Sequence, residues 1–124
     1  MDLYIIVPHY KEEKEVYSPL FNCLNTQEGI DFNKIHLVIG QSSVEAFFPD
    51  MKEWENLKDR TTYICKLYEK EAAGSSREGA LEWVKGQSKN PDDYLIFCDC
   101  DDSLCTNHSL ADIFADVEAH KGVD

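Results

Sequence analysis

The chain has 124 residues, 43% hydrophobic and 29% charged, a composition that supports one globular domain and not a disordered chain. Its 24 acidic against 12 basic residues give a formal net charge of −12, which argues against nucleic acid or an anionic membrane as partner, because phosphates reward basic surfaces. No apolar run approaches the roughly 18 residues of a membrane span, the N-terminus lacks the basic flank and apolar length of a secretory signal, and five cysteines in apolar or loop contexts point to free thiols in a reducing, cytoplasmic setting.

Leu3 to Val7 is an unbroken apolar run closed by Pro8, which predicts a buried strand with Pro8-His9-Tyr10-Lys11-Glu12-Glu13 as the polar loop at its carboxyl end. Ser18 followed by Pro19 predicts an N-cap with proline in the first helical position. Leu20, Phe21 and Leu24 then form one apolar face, and the helix is expected to end near Gln27-Glu28-Gly29. Lys34 to Ile39 predicts the next strand, left through Gly40-Gln41-Ser42-Ser43. Val44, Phe47 and Phe48 begin an apolar cluster that Pro49 interrupts; Asp50 with Glu53 predicts a capping box ahead of Trp54 and Leu57, hence a helix in two parts.

Thr61 to Leu67 is β-prone and predicts a third strand, followed by a loop from Tyr68 to Gly74. Ser75 with Glu78 has the spacing of another capping box, and Ala80, Trp83, Val84 and Gln87 follow at helical intervals. Asn90-Pro91-Asp92-Asp93 is a turn. It delivers the chain into Tyr94-Leu95-Ile96-Phe97-Cys98, five apolar or thiol residues without polar alternation, which predicts a strand buried on both faces. Three carboxylates follow within four positions, Asp99, Asp101 and Asp102, and Leu110, Ile113, Phe114 and Val117 mark a final amphipathic helix capped at Thr106 or Asn107 and stopped at Gly122.

Strand and helix alternate four times, so the expected architecture is α/β, a mainly parallel sheet with helices on both faces joined by right-handed crossovers. In such sheets ligands bind outside the carboxyl ends of the strands. Clustered carboxylates repel unless a cation or protons relieve them, so Asp99 and Asp101 read as a divalent-cation site. Cys98 and Cys100 are expected to face the core as small hydrophobes. His9, His36 and His120 show no partner pattern.

Four segments together resemble the nucleotide-binding half of the inverting family 2 glycosyltransferases, with the Rossmann-like fold called GT-A. Ile5 to Glu13 (Ile-Ile-Val-Pro-His-Tyr-Lys-Glu-Glu) is similar to that family's opening strand and its Pro-x-Tyr-Asn-x-Glu loop. Leu37 to Ser43 is similar to the second strand and its Asp-Gly-Ser loop, Gly74 to Glu78 to the Ala-Arg-Asn start of the third helix, and Phe97 to Asp102 to the Asp-x-Asp-Asp signature. The resemblance spans nearly the whole chain, which as residues 1–124 would be the donor-binding domain without the acceptor half. It implies a nucleoside-diphosphate sugar as ligand, a uridine diphosphate sugar being favoured, Mn²⁺ or Mg²⁺ as cofactor, an acceptor that the sequence does not identify, and transfer with inversion.

Carried over by position, the resemblance makes Asp101 the direct metal ligand and Asp99 a contact to the ribose or to metal-bound water. Pro8, Tyr10 and Glu12 shape the loop beside the base, and Arg77 contacts the nucleotide from the start of a helix. Gln41 stands where the family usually carries an aspartate that accepts a hydrogen bond from uracil; an amide both donates and accepts, so cytidine is no longer excluded. Lys11 and Glu78 replace two asparagines. No general base is assigned within the chain, although inverting transfer requires one, and Gly122-Val123-Asp124 reads as a helix stop leading into another strand, as expected of part of a longer protein. Two rival readings share these residues: a catalytically silent binding or assembly module of the same fold, and a small zinc domain built on Cys98, Cys100, Cys105 and His108.

Overall fold

The computed structural model describes residues 1–9, 12–41, 49–65, 73–88, 90–100 and 106–119, with the side chains of 73–77 excepted. The elements are β1 (Leu3–His9), α1 (Lys14–Asn25), a 3₁₀ turn (Phe32–Lys34), β2 (Ile35–Gln41), α2 (Glu55–Lys58), β3 (Thr61–Cys65), α3 (Ala73–Gln87), β4 (Tyr94–Phe97) and α4 (Ser109–Ala119). All three strand pairs are parallel, in the order β3-β2-β1-β4. Strand parity divides the core. Leu3, Ile5 and Val7 with Ile35, Leu37 and Ile39 face Tyr17, Leu20, Phe21 and Leu24 of α1 together with Trp54, Leu57 and Leu110. Tyr4, Ile6 and Val38 face Ala80 and Val84 of α3 on the other side.

The expected α/β layout with helices on both faces is therefore present, and four local expectations change. β1 and β2 are the interior strands and are almost wholly buried. β4 was expected to be buried on both faces, yet among the described residues it pairs only with β1, and its Tyr94 and Phe97 are 45% and 46% exposed. An unbroken apolar run shows that both faces tolerate apolar cover, but strand order decides whether cover arrives, and α3 lies over β1, β2 and β3.

The second change is in α1, which begins at Lys14 with Glu13 as its cap, so Pro19 is its sixth residue and not its first. Proline there forfeits one helical hydrogen bond. Extending the helix backwards buries Tyr17 at 4% exposure, one turn before Leu20 and Phe21, and that apolar gain offsets the loss. Third, α3 begins at Ala73, two residues before Ser75, so Ser75 is inside the helix and does not cap it. Fourth, Asp50 does not close a capping box with Glu53; its carboxylate accepts from the Lys52 amide in a tight turn, and α2 starts only after Trp54. β3 is described to Cys65, and the remainder of the expected third strand, with the Ser42–Phe48 part of the apolar cluster, falls outside the described residues.

Gln27 ties the end of α1 to the start of α4. It is 5% exposed. Its amide nitrogen donates to the carbonyls of Cys23 (3.2 Å) and Thr106 (3.0 Å), and its oxygen accepts from the Leu110 amide at 2.9 Å, one of the α4 amides without a partner inside that helix. Gln27→Ala is expected to cost about 2 kcal/mol, because a buried amide loses its acceptor. Urea unfolding at unchanged m-value checks this, and a loss below about 0.5 kcal/mol would mean that water replaces the side chain without cost.

Candidate functional site

The carboxyl ends of β1, β2 and β4 meet on one rim of the sheet, because every strand runs in the same direction. Pro8 pairs in register with Gly40, and His9 with Gln41. The ladder to β4 ends where the Cys98 amide donates to the Ile6 carbonyl at 2.9 Å. Polar groups two residues apart on a strand face the same neighbour, so Pro8 turns toward β4 just past the last rung, where its missing N–H leaves no bond unmade. Its carbonyl accepts instead from the Cys100 thiol at 3.2 Å. Cys98 and Cys100 are 6% and 2% exposed, packed in the core as expected, with half-buried Asp99 held between them.

His9 is the residue that sequence reasoning passed over. It is 2% exposed. Its Nδ1 lies 2.6 Å from Gln41 Oε1, its Nε2 lies 2.9 Å from the Glu12 carbonyl oxygen and 4.0 Å from the Glu12 carboxylate, and its ring meets Tyr17 edge-on at 5.9 Å. The available signal was parity: 9 continues 3, 5, 7 on β1, and 41 continues 35, 37, 39 on β2, so both side chains fall on the α1 face. Burial is the main cause that pushes the Tyr17 phenol above its ordinary 10.0, with Lys14 opposing it.

The expected site residues fall into three groups. Pro8, Glu12, Gln41 and Asp99 stand on the common rim. Gln41, expected in an exit loop, is the last residue of β2 and 2% exposed. Arg77 lies in the second turn of α3, whose first turn follows β3; its backbone is placed and its side chain is not among those described. Tyr10 and Asp101 lie outside the described residues. So does Cys105 of the zinc reading, while Cys98, Cys100 and His108 do not converge on a metal-holding set, and His108 instead faces Glu28 at 3.7 Å on the surface.

Two clefts flank this rim and its opposite end. A polar cavity of about 200 Å³ is lined by Lys14, Tyr17, Asp50, Lys52 and Glu53, bridged by a Lys14–Glu53 contact of 2.7 Å. Both partners are at least half exposed, so the pair adds little stability. An open groove of about 530 Å³ beside Tyr4, Val84 and Leu95 lies at the amino ends of β1 and β4, at the end of the sheet opposite Asp99.

No protein-family model and no curated protein matches the sequence. Solved structures do match in shape. S. aureus TarS aligns over 97% of this chain at a TM-score of 0.68 and 22% identity. Over the aligned region the fold is shared: a parallel α/β sheet with helices on both faces. TarS 1-349 matches at 0.68 and its complex with UDP at 0.67, each with 20% identity over 97% of this chain. The chain spans 20% of the length of the first of these and 33% of the other two. At such identities the likeness establishes the backbone arrangement, and function has to be argued from the rim. Among the described residues no helix is long and apolar enough to cross a membrane.

Proposed function

We propose that this domain binds a nucleoside-diphosphate sugar, a uridine diphosphate sugar in preference to others, as the donor half of an inverting glycosyltransferase. The observation that carries the reading is the place of Pro8 and Gln41 at the carboxyl ends of β1 and β2, with Asp99 just past β4, on the rim of a parallel sheet whose shape matches, among others, a UDP-bound structure. Ligands of open α/β sheets bind at this rim.

Each residue takes a role that its chemistry suits. Tyr10 and the Pro8–Glu12 loop pack beside the base, and Gln41 meets the base through its amide. Arg77, near the amino end of α3, has the charge and planarity to hold a diphosphate oxygen, next to a helix end that favours anions. Asp99 and Asp101 are the donors for Mg²⁺ or Mn²⁺; carboxylate oxygens are hard ligands and fit either ion. A divalent cation held there neutralises charge on the diphosphate. This role for a cation also suits a chain of net charge −12, which would otherwise repel an anionic ligand.

Calorimetric titration of UDP, CDP and GDP, each with and without Mn²⁺, tests the proposal. UDP binding that strengthens about a hundredfold or more with Mn²⁺ is the expected result. Metal-independent or absent binding of all three nucleotides would overturn it.

A further inference from the structure

Backbone pairing between β1 and β4 reaches the rung where the Cys98 amide donates to the Ile6 carbonyl at 2.9 Å, and β4 itself ends at Phe97. Groups two residues apart on a strand face the same neighbour, so the next rung of the ladder would run from the Cys100 amide to the Pro8 carbonyl. At that place a side chain reaches the same oxygen: the Cys100 thiol donates to the Pro8 carbonyl at 3.2 Å. Cys100 is 2% exposed and Pro8 is buried, so water does not compete for the contact. A thiol rung ties the two chains together without demanding strand geometry of residue 100, which lies in a turn.

Cys100 stands in sequence between Asp99 and Asp101, the two acids of the proposed cation site. Consecutive Cα atoms are about 3.8 Å apart across a peptide, so an anchor at residue 100 restrains the backbone of both acids within one peptide of itself. The other end of the anchor is Pro8, where the loop proposed to lie beside the base begins. Two carboxylates this close in the chain repel until a cation joins them, so a segment without an anchor would spread and would have to be ordered again when the ion binds.

We infer that Cys100 is a positioning residue whose thiol locks the Asp99–Asp101 segment to the end of β1 and so sets the carboxylates for a divalent cation at a fixed place relative to the nucleotide. This inference rests on the nucleotide-binding reading above. Cys100 itself touches neither ion nor nucleotide; it acts through the acids on either side. Residues that orient metal ligands in this way are worth about 10–100-fold in metal affinity.

The test is calorimetric titration of UDP, with and without Mn²⁺, into the unchanged chain, Cys100→Ala, Cys100→Ser and Cys98→Ala. Alanine and serine are both smaller than cysteine and differ from each other by one oxygen, so any packing loss is common to the two and the donor alone separates them. Cys98→Ala removes a thiol of similar burial, 6% exposed, on the other side of Asp99. The gain in UDP affinity that Mn²⁺ brings is expected to fall about tenfold in Cys100→Ala, and to be kept in Cys100→Ser and Cys98→Ala. The metal-free affinity for UDP is expected to be the same in all four. An equal gain in the unchanged chain and Cys100→Ala would overturn this inference alone, as would the same loss in Cys98→Ala or an equal loss with and without metal. So would a gain lost in folded Cys100→Ser, which decides the matter whether or not the alanine variant folds. Failure of the unchanged chain to bind UDP, or binding that Mn²⁺ does not strengthen, would instead overturn the nucleotide reading and take this inference with it.

Discussion

Asp101→Asn is expected to weaken UDP binding in saturating Mn²⁺ about a hundredfold and to leave the metal-free affinity unchanged. The substitution keeps the size of the side chain and one oxygen, but it removes the negative charge that a hard divalent cation selects. A single hydrogen bond to a charged group is worth about 1.5–3 kcal/mol. Losing a carboxylate ligand to a doubly charged ion costs at least the upper end of that range, and about 3 kcal/mol corresponds to roughly a hundredfold in affinity. Asp99→Asn is expected to cost less, about tenfold, if its part is to hold water or ribose beside the ion. Titrations of both variants at several Mn²⁺ concentrations separate the two roles, with thermal unfolding as a control for folding. Equal losses with and without metal would mean that the acids shape the rim and do not hold an ion.

Phe21→Ala is expected to be the most destabilising single core truncation on the α1 face, at about 3–5 kcal/mol. Phe21 is 0% exposed, and its ring lies 5.4 Å from Tyr17 and 5.3 Å from Trp54. Those neighbours cannot close in on a cavity at this place. Tyr17 is held edge-on to both His9 and Trp54, and Trp54 Nε1 donates to Asn22 Oδ1 at 2.7 Å. Domains of this kind are stable by about 5–15 kcal/mol in total, so the variant should be folded only marginally at room temperature. Urea unfolding followed by tryptophan fluorescence measures the loss. Phe114→Ala, at a half-buried position packed against the same cluster, is the comparison and should cost clearly less. A loss below about 1 kcal/mol at Phe21 would show that α1 relaxes onto the sheet, and with it that the floor beneath His9 is soft.

The sequence by itself determined the class of fold. Strand-like segments at 3–7, 34–39 and 94–98, separated by segments of helical period, leave little choice but a parallel sheet with helices on both faces, and the structure has that sheet. It also placed the rim, since a run that ends in acids or a polar loop marks the carboxyl end of a strand wherever the strand comes to lie. Local signals did worse at boundaries. Ser18-Pro19 and Ser75-x-x-Glu78 are good caps in isolation, but burying Tyr17 extends α1 backwards past its proline, and α3 starts at Ala73, ahead of its serine. Only the tertiary structure decided the strand order, which composition cannot encode: β1 and β4 read alike as greasy runs, yet among the described residues β1 lies between two neighbours and β4 beside one. Only the tertiary structure, too, brought His9 to Gln41. The two are 32 positions apart, and a hydrogen bond of 2.6 Å between them exists because parallel pairing puts the last residues of β1 and β2 in register with both side chains turned to the same buried face.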